Sequence, residues 1–408
     1  MTNEVLQKIA SDEQNISSSN GLEPSLRFGH FVGNWEKSKL SSLFKKCLEK
    51  NKNGLVDNVI CNSAKNGLMP QRDFFDKDIA NTENTNGYYI IQENDFVYNP
   101  RKSNEAPYGP ISMYKYKDKG IVSPLYLCFR ATKEIHPRYF EMYFKSSVWH
   151  KYIYFAGDSG ARYDRVSIKD DVFFEMPINI PSLPEQQKIA DFLSLVDRRI
   201  EKQRQLVESL KKYKRGLLSA IFDRKLRFKD TDFSLWKNVR LSECCLGFDN
   251  KRQPISSELR EKGTVPYYGA NGIQDYVKDY IFDGEYILLA EDGGHFDEFQ
   301  TKPIAQYITG KSWVNNHAHI LQATEKDCTK YIYYALVHKD IRKYINGSSR
   351  AKLNQEDMWQ IVILLPNLKQ QIKIAQFMSS IDKILSIEEK MLTVLEEKKQ
   401  GLLQQMFI

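Results

Sequence analysis

The sequence predicts an α+β protein: two similar globular bodies separated by two long coiled-coil helices packed side by side, with a pseudo-twofold internal repeat. Two observations predict it. Residues 181–222 and 366–407 align without a gap at an offset of 185 residues. Each copy also returns an apolar residue every three to four positions, with no Gly or Pro over residues 185–215 of the first. A repeat fixes architecture, because each copy must bury its apolar face in the same way.

In order along the chain, residues 1–25 are rich in Ser, Asn, Glu and Gln and are expected to form a mobile arm or a short helix on the periphery. The first body spans 26–180, the central helix 181–222, the second body 223–365 and the C-terminal helix 366–408. The first body opens with Leu26-Arg27-Phe28 and Trp35, then Leu40-Ser41; the second opens with Leu226-Arg227-Phe228 and Trp236, then Leu241-Ser242. Near their ends, residues 139–144 and 331–336 read as short amphipathic helices, and 178–180 and 361–365 as apolar strands entering Pro181 and Pro366. The interiors differ. The first has strand-like runs at 88–92, 95–98 and 125–130; the second has Tyr267-Tyr268-Gly269-Ala270-Asn271-Gly272, a run at 286–290 and Glu291-Asp292-Gly293-Gly294. Mixed short strands and helices make each body α+β.

Counting heptads in the central helix puts Ile189, Val196, Gln203, Leu210 and Leu217 in one column and Phe192, Leu206 and Tyr213 in a second, widened by Leu193, Ile200 and Val207. The C-terminal copy matches with Ile374, Ile381, Glu388, Leu395 and Leu402, and with Phe377, Ile384 and Met391. This is the seam of a coiled coil with a polar residue at mid-column. About 38 helical residues make a rod of roughly 57 Å. Its apolar stripe needs a partner, and the other helix is the nearest equivalent one; packing of each helix on its own body is the alternative.

With 408 residues, 41 % hydrophobic and 27 % charged, the chain is globular and long enough for two domains. Its longest apolar run, 361–365, is far too short for a membrane span. No basic-then-apolar leader opens the sequence, and the six cysteines show no CxxC spacing, as expected of reduced thiols in a cytoplasmic protein. A net charge of +7 with 23 Tyr and 22 Phe suits a nucleic-acid partner.

Catalytic motifs do not emerge. A methyltransferase needs a glycine-rich adenosyl loop and an Asn/Asp-Pro-Pro-aromatic motif, and Asp292-Gly293-Gly294 and Asn99-Pro100-Arg101 fit neither. Gly310-Lys311-Ser312 ends like a phosphate loop, but Ala305 stands where its first glycine belongs. His317-x-His319 with His295-x-Asp297 allows a metal site on paired strands, or simply hydrogen-bonding loop histidines; no metal ligands are assigned. Candidates for reading bases and holding phosphates are clearer. In the first body they are Arg101, Lys102, Lys115, Lys117, Arg162 and Arg165. In the second they are Tyr267, Tyr268, Asn271, Lys311, Trp313, Asn315, Asn316, His317, Arg350 and Lys352. Any one of them could instead be turn or core.

The combination resembles the specificity subunit (HsdS) of type I restriction–modification systems. The resemblance lies in the two Pro-x-Leu…Gln…Lys-Ile-Ala-x-Phe helices with their Gly-Leu-Leu ends, the Trp…Leu-Ser openings, and strings such as Gly120-Ile121-Val122-Ser123-Pro124 and Trp313-Val314-Asn315-Asn316-His317. It covers residues 26–408. It implies that each body is a target recognition domain for one half of a bipartite site in double-stranded DNA, with the two helices forming an antiparallel coiled coil that acts as a ruler for the spacer. It implies a subunit without a catalytic centre or cofactor of its own. Two methylation (HsdM) subunits would bring S-adenosylmethionine, and, in systems that restrict, two restriction (HsdR) subunits would bring ATP- and Mg-dependent translocation and cleavage. The alternatives are a coiled-coil scaffold joining two protein-binding bodies and a self-contained DNA methyltransferase or nuclease.

Overall fold

Both predicted bodies begin with a strand that pairs with the strand leaving the same body. The structure, a computed structural model, describes residues 23–74, 85–157, 164–226, 228, 236–347 and 351–408. Residues 1–22 of the expected arm lie outside the described residues. The chain divides into two units, Met1–Lys202 with Leu392–Ile408, and Gln203–Met391.

In the first unit β1 (Glu36–Lys39) opens the body, followed by β2 (Phe44–Lys46), β3 (Ile60–Ser63), β4 (Gly67–Pro70), β5 (Tyr89–Ile91), β6 (Phe96–Tyr98), β7 (Ile111–Met113), β8 (Gly120–Val122) and β9 (Leu127–Ala131). Helices α1 (Pro137–Lys145) and α2 (His150–Ala156) follow, and β10 (Pro177–Ile180) leads into the long helix α3 (Leu183–Phe222). Strand β10 returns antiparallel to β1, with Glu36 opposite Ile180. The main sheet has the order β2-β9-β6-β7. On its inner face the Phe44 ring lies edge-on to Phe96, Phe129 and Phe140 at 5.6, 5.4 and 5.1 Å, an arrangement that aligns ring edges with ring faces. Helix α1 starts at Pro137, whose missing N–H is no loss at a helix start, and His136 Nδ1 accepts from the Tyr139 N–H.

The second unit repeats this plan. It comprises β11 (Lys237–Arg240), β12 (Cys245–Gly247), β13 (Lys262–Gly269), β14 (Gly272–Val277), β15 (Phe282–Ala290), β16 (Ala305–Val314), β17 (Ala318–Ala323), α4 (Thr329–Leu336), β18 (Ile345–Asn346), β19 (Lys352–Leu353), β20 (Val362–Leu365) and the first part of α5 (Leu368–Met406), whose residues from Leu392 on belong to the first unit. Strand β20 pairs antiparallel with β11, with Lys237 opposite Leu365. The main sheet has the order β12-β17-β15-β16-β13-β14. Its first four strands occupy the places of β2-β9-β6-β7, so interiors unrelated in sequence share one topology; β13 and β14 are additions at one edge.

Each core is completed by two helix ends. In the first unit Ile189, Ala190 and Leu193 from the start of α3 are buried with Leu403, Met406 and Phe407 from the end of α5. In the second, Ile374, Ala375 and Met378 join Leu218 and Ile221. The helices run antiparallel within each unit. Lys399 Nζ meets Asp197 at 2.6 Å in the first; in the second Lys214 Nζ meets Asp382 at 2.5 Å and Gln203 Nε2 donates to Glu388 Oε2 at 2.6 Å. The two ion pairs are one contact with the repeats exchanged, and Gln203 meets its own equivalent. No described helix is long and apolar enough to cross a membrane.

One part of the heptad reading needs correction. The first column holds: Ile189, Ile374 and Gln203 are buried, and Val196, Leu210, Leu217, Ile381, Leu395 and Leu402 are partly buried. The buried second column, however, is Leu193, Ile200 and Val207, continued by partly buried Lys214, not Phe192, Leu206 and Tyr213; Leu206 and Tyr213 are 43 % and 55 % exposed. Phe192 and Phe377 pack edge-on against Phe28 and Phe228 of the body openings, at 5.7 and 5.4 Å. The cause is that the helix phase is set where α3 and α5 enter the bodies. Buried Glu185, Gln186, Ile189 and Ala190 fix which face turns inward, and spacings of four and three from Ile189 follow from it.

Candidate nucleic-acid interface

In the first unit the chain leaves β6 through Asn99-Pro100-Arg101-Lys102 and meets the segment 164–166. The Val166 N–H donates to Pro100 O at 2.9 Å and the Lys102 N–H to Asp164 O at 2.8 Å, while Arg101 and Arg165 form an antiparallel bridge. The turn beneath requires glycine: Gly109 has φ +82°, and a Cβ there would lie 2.1 Å from Asn99 O. Arg101, Lys102 and Arg165 are thereby gathered at one edge, with Asp164 4.0 and 3.9 Å from the two guanidinium groups. Two guanidinium groups beside one carboxylate, with Lys102 next in the chain, leave an excess of positive charge suited to phosphate oxygens. Lys115 and Lys117 sit apart, between β7 and β8. Lys115 is drawn to buried Glu141 at 2.8 Å, whereas Lys117 is exposed. Arg162 and Arg350 lie outside the described residues.

In the second unit a cavity of ≈ 600 Å³ opens between the β13–β14 turn and the loop after β15, lined by Asn271, Gln274, Asp292, Gly293, Gly294 and His317 among others. Asn271 Nδ2 donates to Gly293 O at 2.8 Å, and His317 Nδ1 lies 2.5 Å from Asp292 Oδ1. Asp292 forms a bridge with Lys352, at the place where Arg101 meets Arg165 in the first unit. Asn271, His317 and Lys352 are therefore brought together, with Asn316 exposed beside them. Lys311 lies out on β16, its ammonium 4.5 Å over the Tyr280 ring, and Tyr268 is half-buried.

Two candidates are buried by their surroundings, and a third is half-buried with its polar group engaged. Tyr267 is 1 % exposed, and its hydroxyl accepts from the Ile255 N–H at 3.1 Å. Asn315 is buried, donating to Gln274 Oε1 and accepting from the His317 N–H. Trp313 spends its indole N–H on Gln253 O at 2.6 Å. Asn315 braces Gln274 and His317 of the cavity wall. Sequence reasoning missed Asp292 and Gln274. The signal lies in Glu291-Asp292-Gly293-Gly294, a polar loop at a strand end.

Of the histidine pairs, His317 and His319 turn to different carboxylates. His319 is buried, with Nδ1 2.5 Å from Asp249 and Nε2 2.8 Å from Leu353 O. Asp249, Glu291 and His319 offer donor atoms within 4.8 Å of one another. Both His319 nitrogens are already engaged, and Arg252 and Lys352 bond Glu291 at 2.5 and 3.1 Å. Burial raises the Glu291 carboxyl, but the bonds from Arg252 and Lys352 outweigh it and hold it below the ordinary range. Burial likewise opposes Asp249, and His319 offsets it. The cluster is an internal ion network that braces β12, β17 and β19 behind the cavity.

Comparison with known proteins decides the family. The family described as the type I restriction modification DNA specificity domain matches residues 33–212 and again 234–397. The chain belongs to this family. Within the specificity-domain family, it is 37 % identical over 151 residues to a putative type I restriction enzyme specificity subunit of Haemophilus influenzae, covering 37 % of this chain and 38 % of that relative. A putative type I specificity subunit of Mycoplasma pneumoniae is 27 % identical over 216 residues, 52 % of this chain and 84 % of the relative. The crystal structure of the type I restriction–modification S subunit from M. genitalium superposes with a TM-score of 0.56 at 18 % identity, covering 95 % of this chain and 99 % of that one, a likeness of fold. The repeated match falls on the two body–helix segments.

Proposed function

We propose that this chain is the DNA sequence-recognition subunit of a type I restriction–modification complex. The observation that carries the reading is the double family match, one per body–helix repeat. Each body reads one half of a bipartite site in double-stranded DNA, and the paired helices set the unread spacer. The basic edge of Arg101, Lys102 and Arg165 and the polar cavity around His317 support an interface on each body. The chain contributes no chemistry of its own. Two methylation subunits bring S-adenosylmethionine, and restriction subunits, where the system has them, bring ATP- and Mg-dependent cleavage, all in the cytoplasm. Ile384, Ile387 and Met391 stand 46 %, 61 % and 43 % exposed at helical spacing on α5, which supports a docking face for a methylation subunit.

The test is methylation mapping. The chain is co-expressed with its neighbouring methylation subunit in a methylation-free host, and modified adenines are located by single-molecule sequencing. One asymmetric two-part motif with a fixed gap is expected. A complex that forms but leaves no motif would refute DNA specification and favour a coiled-coil scaffold joining two protein-binding bodies.

A further inference from the structure

We propose that the cavity of the second unit receives an exocyclic amino group of a base, N6 of adenine or N4 of cytosine, with Nε2 of His317 as its acceptor. The inference rests on the DNA-specifying reading above and adds the chemistry of one contact. His317 lines the cavity with its side chain 40 % exposed, while its partner Asp292 is only 14 % exposed. A carboxylate can only accept, so the 2.5 Å contact places the ring proton on Nδ1. In the neutral ring Nε2 is then an acceptor, and Asp292 fixes that tautomer. Asn271 points the same way: its Nδ2 is committed to Gly293 O at 2.8 Å, which leaves Oδ1 as a second acceptor on the same wall.

The wall between them is backbone. At Gly294 a Cβ would lie 2.6 Å from the Ala290 methyl and 2.9 Å from the Phe296 ring, and Gly293 adopts φ +64°. Two acceptors beside a carboxylate repel phosphate oxygens and suit a hydrogen-bond donor. Among base edges in the major groove, only the amino groups of adenine and cytosine donate. The cavity is thus assigned to base reading, and the phosphate contacts of this unit to exposed cations such as Lys311.

The test uses the intact complex with its methylation subunits and the half-sites found by methylation mapping. Duplexes carry purine in place of each adenine of the second half-site, or 2-pyrimidinone in place of each cytosine, so that only the amino group is lost. Fluorescence anisotropy should find one position where the analogue weakens wild-type binding about tenfold. Whether that position holds adenine or cytosine names the base. At the same position His317→Ala, and His317→Phe as a variant that keeps a ring, should show less than a twofold analogue effect, with first half-site analogues unaltered. An equal analogue effect in wild type and both variants at every position would overturn the proposal while leaving bipartite recognition standing. So would a dependence on guanine O6 or N7. Loss of all sequence preference in the wild type would instead refute the subunit reading itself.

Discussion

Gln371 is expected to be among the most costly polar residues of the second unit to truncate. It is 1 % exposed at the start of α5, where its Oε1 accepts from the Cys328 N–H at 2.8 Å and its Nε2 donates to Asp327 Oδ1 at 2.8 Å and Pro366 O at 2.9 Å. One side chain thereby ties the residues that open α4 to the proline that opens α5. Gln371→Ala strands a buried carbonyl and a partly buried N–H, each costing about 1–3 kcal/mol when left unpaired, so the loss should be about 2–5 kcal/mol. For a unit of this size that corresponds to roughly 5–20 °C in Tm. Calorimetry or urea unfolding of Gln371→Ala should show it, with exposed Gln376→Ala on the same helix within about 0.5 kcal/mol of wild type. Gln186 makes the equivalent clamp in the first unit, accepting from the His136 N–H and donating to Pro181 O, each at 3.0 Å. A Gln371→Ala protein as stable as the Gln376→Ala control would refute the clamp.

Two further outcomes are expected. Glu141 is buried on α1; burial opposes its ionisation, but Lys145, Lys115 and Arg138 outweigh that and hold its carboxyl at about 2 against an unperturbed 4.5. A depressed acid stabilises above its unfolded pKa and loses that contribution as pH falls through the folded one. The first unit should therefore weaken between about pH 4.5 and 2, and Glu141→Gln should flatten stability over that window in acid unfolding curves. The second outcome concerns the ruler. Inserting one heptad into each long helix, beside Gln203 and Glu388, adds about 10 Å, or roughly three base pairs at 3.4 Å each. Methylation mapping should show the gap lengthened by that amount with both half-sites intact, and an unchanged gap would show that the helices do not set it.

Much of the fold was legible because the repeat makes each residue testify twice. Gln186 and Gln371, Asp197 and Asp382, and Phe222 and Phe407 are identities at an offset of 185 residues, and each pair makes equivalent contacts in the two units. The helix phase was less legible. Both Phe192 and Leu193 are apolar, so either can be drawn into the second column, and only the burial of Glu185 and Gln186 at the helix entrance selects Leu193. Glu185 reads as a surface residue but is buried by Arg27, whose Nε and a terminal guanidinium nitrogen reach it at 2.7 and 2.8 Å; no local pattern announces a partner so far along the chain. The site was half legible for the same reason. Asn271 and His317 have the right chemistry, but Tyr267 and Asn315 have it equally, and strand alternation between solvent and core separates them only once the sheet order is known.

The crossing of helix ends between units has a consequence that sequence distance conceals. Phe407, near the end of α5, is 2 % exposed in the core of the first unit, with its ring 5.3 Å from Tyr139 and 6.0 Å from Tyr143 of α1. Phe222, at the end of α3, meets Tyr331 of α4 at 5.8 Å in the second unit. Truncating a buried phenylalanine removes both its transfer free energy and the packing around it, about 3–5 kcal/mol. Phe407→Ala should therefore unfold the first unit more readily although most of α5 belongs to the second. Hydrogen exchange read by mass spectrometry should show protection lost over Pro137–Lys145 and kept over Thr329–Leu336, and Phe222→Ala should show the reverse. Loss confined to Thr329–Leu336 in Phe407→Ala would mean that α5 stabilises the body it follows in sequence, and the exchange of helix ends would then be wrong.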